Sequence, residues 1–285
     1  MGLRMFLAGA LALGLVGPAL AEEPVKYKFA AKRTPAAMEP APFGKYNRGC
    51  LSGGVELPET GFGWQAMRLS RNRNWGHPQS ISFIQRLAAK AQDIGWAGLY
   101  IGDISQPRGG PMRSGHRSHQ MGLDIDIWLR QPKTLGLSRA ERERISSHVV
   151  TTGSGLGVNG YWTSGHHAVV KAAASDPAVA RIFVHAAIKR AMCDAEPAGA
   201  GREWLRKIRP WYGHNAHFHV RLKCPIGATA CVGQAAIPAG DGCGASLDWW
   251  FSDEARNPKP KKKKTKPREL VLADLPKACA VVLSR

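Results

Sequence analysis

Several features are absent from this sequence, and each absence argues against a class of protein. After residue 21, no run is long and apolar enough to cross a bilayer, which takes about 20 such residues. None of the six cysteines belongs to a CxxC pair, which argues against zinc ribbons and thioredoxin-like redox motifs. No GxSxG segment is present, so the signature of a serine hydrolase is missing. The sequence also shows no internal repeat.

Acidic residues are scarce. The chain carries 40 Lys and Arg against 21 Asp and Glu, which gives a formal net charge of +19. A basic surface favours a polyanionic partner. For a cytosolic protein, the first candidate is nucleic acid. For an exported protein, the candidates are an anionic wall polymer and membrane lipid. Part of the charge lies in the Pro/Lys run 259–268, whose composition predicts a solvated linker, with or without a partner of its own.

The N-terminus has the layout of a secretory signal peptide. Arg4 supplies a positive charge, an apolar run follows from Met5 to Val16, and Pro18 ends it before the small-residue pattern Ala19-Leu20-Ala21. We expect cleavage after Ala21 and export to the periplasm, with no membrane-spanning segment left in the mature chain. The alternative is an N-terminal membrane anchor, for which the run is short.

The six cysteines are Cys50, Cys193, Cys224, Cys231, Cys243 and Cys279. An even number in an exported chain predicts three disulfides, and six cysteines allow 15 pairings. Cys224 and Cys231 are close enough in sequence to close a small loop. The predicted organisation is a signal peptide over 1–21, an irregular segment over 22–48, one domain over 49–251, a basic linker over 252–270, and a tail over 271–285 that carries Cys279.

Hydrophobic periodicity predicts an α+β fold. Residues 80–95 have a helical apolar stripe that Ser80 would cap and Gly95 would end. Residues 121–129 and 216–222 alternate apolar and polar side chains as strands do. Further helices are expected over 166–174 and 186–192, and further strands over 99–104 and 181–185. Since no regular βαβ rhythm is present, the pattern favours a central antiparallel sheet with flanking helices.

Two segments carry the residues that suggest chemistry, 114–126 and 214–219. Alternation puts Asp124 and Asp126 on one face of their strand, and it puts His217 and His219 on one face of theirs. If the strands are neighbours, Asp126 and His219 converge, and a turn at Gly122 would bring His119 back over them. Two histidines and one carboxylate around one point form a catalytic zinc set with a fourth position open for water.

Each motif alone is a weak signal, because most HxH pairs and strand aspartates have no metal. The N/O ligand set suits zinc, although other divalent ions could replace it. A second cluster, formed by His148, His166, His167 and His185, has no carboxylate at matching spacing and predicts a second site only weakly.

The pattern Ser118-His119-x-x-Gly122-x-Asp124-x-Asp126, followed downstream by His217-x-His219, resembles the metallopeptidases that include lysostaphin-type endopeptidases, D-Ala-D-Ala carboxypeptidases and the hedgehog domain. More closely, the chain resembles the penicillin-insensitive murein endopeptidases. Similar stretches cover nearly all of residues 49–251: 76–78, 101–103, 115–126, 181–184, 204–207, 209–211, 217–222 and 241–244.

The resemblance implies a role for each of these positions. His119, Asp126 and His219 would hold Zn²⁺, and His217 would be the general base beside the attacking water. His116 would be an additional ligand or a partner of the ligands. His214 would line the site and help to stabilise developing charge. The implied disulfides are Cys50–Cys279, Cys193–Cys243 and Cys224–Cys231.

The activity implied by this family is zinc-dependent hydrolysis of the D-alanyl–meso-diaminopimelyl cross-link of murein. Because no serine takes part, penicillin should not inhibit it. The expected partner is therefore peptidoglycan, and not nucleic acid. The alternatives are a carboxypeptidase or L,D-endopeptidase on the same scaffold, a non-catalytic zinc-containing wall-binding protein, and a cationic nucleic-acid or lipid binder. Trp75, Trp211 and Tyr212 would either line a substrate groove or simply pack.

Overall fold

A computed structural model describes residues 22–258 and 268–285. The predicted signal peptide lies outside the described residues, and so does most of the predicted linker, from 259 to 267. Within the described part of the chain, no helix has the length and apolar character needed to span a membrane.

The strands of the described chain are mostly short. They are β1 (Ala41–Lys45), β2 (Arg48–Ser52), β3 (Val55–Glu56), β4 (Thr60–Gly61), β5 (Trp64–Ala66), β6 (Trp75–Gly76), β7 (Leu99–Ile101), β8 (Asp124–Trp128), β9 (Val179–Val184), β10 (Ile208–Pro210) and β11 (His217–Leu222).

The α-helices are α1 (Val25–Ala30), α2 (Pro78–Asp93), α3 (Arg139–Arg144), α4 (Ser164–Ser175), α5 (Ala186–Ala195), α6 (Ala245–Asp248), α7 (Asp253–Arg256) and α8 (Ala278–Ser284). Four 3₁₀ turns complete the elements, at Leu69–Arg71, Glu203–Lys207, Trp249–Phe251 and Leu272–Asp274.

A seven-stranded sheet forms the centre of the fold, in the order β10-β9-β11-β8-β7-β5-β4. Its middle strands are antiparallel, because β11 pairs antiparallel with both β8 and β9, and β8 pairs antiparallel with β7. Two flanking pairs are parallel, namely β9 with β10 and β5 with β7. The α+β class with an antiparallel central sheet is therefore confirmed, although the sheet as a whole is mixed.

Helix α2 begins two residues earlier than predicted. Pro78 occupies its first turn, where no backbone donor is needed, and the His77 ring accepts from Gln79 N at 3.1 Å as the cap. The prediction that Ser80 caps this helix was wrong, because its hydroxyl instead donates to Gly122 O at 2.6 Å. The apolar stripe is buried as expected, at Ile81, Ile84, Leu87, Ala88 and Ala91.

The main core lies on one face of the sheet. Ile125 and Ile127 of β8 and Phe218 and Val220 of β11 are fully buried in the same cluster as the inner residues of α2 and α4. Because side chains alternate along a strand, the opposite face of β8 and β11 carries the aspartates and histidines of the two sequence segments. The core thus fixes which face is free for chemistry.

The segment 22–48, predicted to be irregular, contains α1, β1 and the start of β2. Val25 and Phe29 of α1 are fully buried against Val282 and Leu283 of α8 in a second cluster. The Pro- and Ala-rich composition did not predict this helix. Its apolar partners lie about 250 positions away along the sequence. Local pattern cannot detect a helix whose stability depends on such distant packing.

All three disulfides implied by the resemblance are present: Cys50–Cys279, Cys193–Cys243 and Cys224–Cys231. The first joins β2 to α8, so the tail is tied to the body as expected. The predicted boundaries of the domain, linker and tail stay predictions.

Candidate metal centre

The pairing register of β8 and β11 brings the two sequence segments together. His219 lies directly opposite Asp126 in the antiparallel ladder, and His217 lies opposite Trp128. Opposed residues of an antiparallel pair project on the same face. The result is a short separation of 3.2 Å between His219 Nδ1 and Asp126 Oδ1. The prediction that these strands are neighbours is confirmed.

The turn before β8 returns His119 to the same point. Gly122 has φ +66°, and a Cβ there would lie 2.8 Å from His77 N, so only glycine fits. His119 itself has φ +66°, which is unusual for a residue with a side chain. Two bonds hold it in place: His119 N donates to Asp124 Oδ2 at 2.9 Å, and Ser105 Oγ donates to His119 O at 2.6 Å.

Hydrogen bonds fix the tautomers of the two central histidines. A carbonyl oxygen only accepts, so the 2.7 Å contact with Ile104 O places the proton of neutral His119 on Nδ1. Asp124 Oδ1, 3.0 Å from His219 Nε2, places the proton of that ring on Nε2. Both remaining nitrogens then present lone pairs, 3.2 Å apart, towards Asp126 Oδ1.

Asp126 Oδ1 is buried and has no hydrogen-bond donor aligned on it, although His119 Nε2 and His219 Nδ1 lie at 3.4 and 3.2 Å. Burial alone would raise the pKa of Asp126, but the surrounding histidines hold it well below its usual range. Three buried acceptor atoms facing one point repel one another unless a cation lies between them. The donor set of two imidazoles and one carboxylate therefore fits a catalytic divalent metal.

Asp124 connects the centre to a buried arginine. Arg221 donates to both of its oxygens, at 2.7 and 3.1 Å. Burial opposes ionisation of Asp124, but Arg221 and His219 hold its pKa well below normal. Burial in turn would lower the pKa of His219, and the charge of Asp124 reverses this and raises it. Asp124 therefore both orients the His219 ring and pairs with an arginine.

His116 stands at the edge of the same group. Its Nε2 is 3.0 Å from Asp103 Oδ2 and 3.6 Å from Asp126 Oδ2. Together, His116, His119 and Asp126 offer donor atoms within 4.8 Å of one another. The side-chain bonds from His116 and Arg73 keep the pKa of Asp103 low against the effect of burial, so this carboxylate accepts and His116 Nε2 carries a proton. In this arrangement, Nε2 is a donor to Asp103 rather than a free ligand.

His217 and His214 line the open side of the centre. The His217 side chain is 30 % exposed, and its Nε2 is 3.8 Å from Asp126 Oδ2. Burial lowers the pKa of His217 although Asp126 opposes this, so the ring is neutral near pH 7. Burial and the nearby His217 lower the pKa of His214 to about 4. His214 Nδ1 donates to Tyr212 O at 2.8 Å, which leaves an acceptor at Nε2.

A family model described as penicillin-insensitive murein endopeptidase matches residues 42–284. The chain belongs to this family. The match includes β8, β11 and every histidine and aspartate described above. Membership of this family identifies the chain as a metallo-endopeptidase, which agrees with the metal-binding geometry.

Relatives of the same name are similar over most of their length. The penicillin-insensitive murein endopeptidase of Haemophilus influenzae is 45 % identical over 228 residues, which are 80 % of this chain and 78 % of that protein. The one from Yersinia enterocolitica is 38 % identical over 281 residues, covering 99 % and 98 %. The one from Escherichia coli is 40 % identical over 240 residues, covering 84 % and 85 %.

The role of Asp103 was missed from the sequence. It is buried and binds Arg71 at 3.2 Å and Arg73 at 2.8 Å in addition to His116. It follows β7 by two residues, and nothing in the Gly-Asp dipeptide there predicts a partner 13 positions away.

The weakly predicted second histidine site does not form among the described residues. His166 Nε2 bonds Leu129 O at 2.9 Å, and His167 Nε2 pairs with Glu196 at 2.7 Å. His185 caps α5 by accepting from Ala187 N. Each of these rings therefore has a structural partner of its own, and the only grouping of potential metal ligands in the described chain is the one at Asp126.

Proposed function

We propose that this metallopeptidase is a zinc-dependent murein DD-endopeptidase that hydrolyses the D-alanyl–meso-diaminopimelyl cross-link and is insensitive to penicillin. The observation that carries the proposal is the convergence of His119 Nε2, His219 Nδ1 and the donor-free Asp126 Oδ1 on one point. The relatives' shared name supplies the substrate class.

In this proposal, His119, Asp126 and His219 hold the ion. Ile104 O and Asp124 keep the two rings in the tautomers that ligation needs. His116 would contribute either as a further ligand, after leaving Asp103, or as a positively polarised donor beside the site. The second role needs no rearrangement, so we favour it.

A bound zinc ion would lower the pKa of water at the site and polarise the scissile carbonyl. His217 is neutral near pH 7 and accessible, so it can take the proton of the attacking water and pass it to the leaving amine. His214 was expected to stabilise developing negative charge. With its proton donated to Tyr212 O, it instead offers an acceptor that can orient the water or a substrate N–H.

Insensitivity to penicillin follows from the same chemistry. A β-lactam inactivates an enzyme by acylating a nucleophilic serine, and no serine is needed for the hydrolysis described here. We further propose that the enzyme acts in the periplasm, where murein lies. The N-terminal sequence favours export, and the three disulfides are typical of proteins from oxidising compartments.

The test is a digest of purified cross-linked muropeptide dimers, read by mass spectrometry, with and without chelator and with and without penicillin. We expect dimers to become monomers, chelator to stop the reaction, zinc to restore it, and penicillin to have no effect. Release of D-alanine without loss of dimers would instead identify a carboxypeptidase. Binding to murein without any cleavage by the zinc-loaded protein would identify a wall-binding protein.

A further inference from the structure

A small cavity lies beside the metal centre, on the side of His214. Its volume is about 260 Å³, and its lining includes His185, Trp211, Tyr212, Trp250, Arg256 and Asn257. Drug-sized ligands occupy cavities of about 300–1,000 Å³. This one is of a size for a single ring-sized group.

Contacts between rings connect the cavity to the proposed ligands. Phe183 lies 5.3 Å from the His219 ring and 5.7 Å from the Trp211 ring, measured between centroids. The Trp211 ring is therefore no more than about 11 Å from His219, the sum of those two distances. A hydrogen bond makes a second connection, since His214 Nδ1 donates to the carbonyl oxygen of Tyr212, which lines the cavity. A stem peptide of a few extended residues, at about 3.3–3.6 Å per residue, is long enough to reach from the metal centre to this cavity.

The walls of the cavity combine exposed aromatic faces with free hydrogen-bonding groups. Trp211 is 54 % exposed and Tyr212 is 56 % exposed, although both are large apolar side chains. His185 Nδ1 accepts from Ala187 N, so the proton of the neutral ring is on Nε2, where no acceptor is found among the described residues. Arg256 and Asn257 add exposed donors at the rim. The complementary ligand has a flat apolar face and polar edges.

We propose that this cavity binds an N-acetylated amino-sugar ring of the murein glycan strand, next to the stem peptide that is cut. The inference rests on the proposed function. The stem peptides of murein offer methyl groups, amides and carboxylates, and none of these needs two aromatic faces. The glycan is the only part of the substrate with rings, and each pyranose presents apolar C–H groups on its face and hydroxyl and acetamido groups at its edge. The apolar C–H face would pack on Trp211 and Tyr212. The hydroxyl and acetamido groups would accept hydrogen bonds from His185, Arg256 and Asn257.

The test compares two muropeptide dimers with the same cross-linked peptides. One keeps its disaccharides, and the other has had them removed by an N-acetylmuramoyl amidase. We expect the wild-type enzyme to cleave the sugar-bearing dimer with a kcat/KM about tenfold higher, because only that dimer can bury an apolar sugar face against Trp211. Trp211→Ala should lower kcat/KM for that dimer to the level of the sugar-free dimer. It should leave the sugar-free dimer unaffected.

Matched variants separate the possible causes. Trp211→Phe keeps an aromatic face and should retain most of the preference. Tyr161→Ala removes a tyrosine as exposed as Tyr212 (56 % for both) at a site away from this cavity, and should change neither rate. Equal cleavage of both dimers by the wild type would overturn the proposal. So would an equal loss on both dimers in Trp211→Ala or Arg256→Gln, because the cavity would then serve the peptide. If neither dimer is cleaved by zinc-loaded enzyme, it is the proposed function that fails.

Discussion

His119 adopts a backbone conformation that side chains rarely take, with φ +66°. Such a residue costs about 1–2 kcal/mol relative to a helical or extended one. The bonds from its N–H to Asp124 and from Ser105 to its carbonyl hold it there. Strain of this kind persists where the surroundings demand it and is concentrated at functional sites. Here it delivers Nε2 to the point that Asp126 and His219 share.

His217 is predicted to matter for turnover and not for metal binding. His217→Ala should keep one zinc ion per chain and lower kcat by about 10²–10⁴-fold, the range for loss of a general base. Metal content and kcat are measured on the same preparation. His148→Ala, which removes a ring stacked on Tyr161 outside the site, is the control. Normal turnover by zinc-loaded His217→Ala would refute the assignment.

Asp124 and Asp103 are predicted to differ in their effect on metal affinity. Asp124→Asn weakens the support of His219 and should lower zinc affinity about 10–100-fold. The Asp103 side chain contacts only His116 and the two arginines. Asp103→Asn should therefore change zinc affinity less than threefold if His116 is not a ligand. Zinc affinity is measured by competition with a chelator. A loss in Asp103→Asn as large as that in Asp124→Asn would make His116 a ligand.

At this scale, the sequence predicted the members of the site but not their partners. His119, Asp126 and His219 follow from strand alternation and a glycine turn, which are local properties. Asp103 and the carbonyl of Ile104 act on histidines 13 and 15 positions away, through a loop whose path depends on the whole fold. The role of His214 also depends on one carbonyl, that of Tyr212, which no pattern reveals.

The antiparallel pairing of β8 and β11 is the element on which the centre depends. With one face of both strands fully buried, a slip of one residue would place the aspartates and histidines in the core. The register that pairs His219 with Asp126 is therefore specified by Ile125, Ile127, Phe218 and Val220 on the opposite face. Period-two alternation was sufficient to predict both strands and both faces. It could not predict the parallel flanking pairs, which depend on crossovers outside the strands.

The turn at Gly122 should tolerate no side chain. In Gly122→Ala, the new Cβ would meet Leu51 Cδ2 and the backbone of His77 within 3 Å at a positive φ, so a loss of about 3 kcal/mol or more in unfolding free energy is expected. Gly95→Ala has a similar φ of +93° but nothing within 4 Å, and should lose only about 1–2 kcal/mol. Urea denaturation measures both. Equal losses would show that the steric contact does not contribute.

On the scale of the whole molecule, whose net charge is +19, Lys189 is the one lysine that is buried among the described residues. Lys189 of α5 is fully buried, and its Nζ donates to Leu205 O and Asp241 O, both at 2.7 Å. Burial lowers its pKa to about 7, although Asp241 opposes this and Arg209 and Arg202 reinforce it.

Lys189 should therefore make stability depend on pH. Between about pH 7 and its ordinary pKa of 10.5, the unfolded chain binds the proton that the folded chain has released, so stability rises with pH through that window. From pH 7 to pH 9, the unfolding free energy of the wild type should gain about 2 kcal/mol relative to Lys189→Met, which has no titrating amine there. Urea denaturation at both pH values, with the disulfides intact, measures this. Parallel pH profiles for the two proteins would contradict it.

The terminal regions show where prediction from sequence fails at this scale. The family resemblance supplied all three cysteine pairs, while the pattern of residues 22–48 suggested no regular structure. Helix α1 and helix α8 are each only a few residues long and would be unstable alone. They form because each covers the other's apolar face, a relation between the two ends of the chain that no local window contains.

The bond between Cys50 and Cys279 also imposes an order of events on biosynthesis. Chains grow from the N-terminus, so Cys50 cannot form this bond until Cys279, 229 residues later, has been made. Its neighbour Leu51 lies under Gly122, in the turn that places His119. A chain that stops before Cys279 cannot form this bond. Strand β2, which lies against the Gly122 turn, then has no covalent link to α8. The covalent link behind the turn that places His119 is therefore made only after the segment that forms α8 has been synthesised.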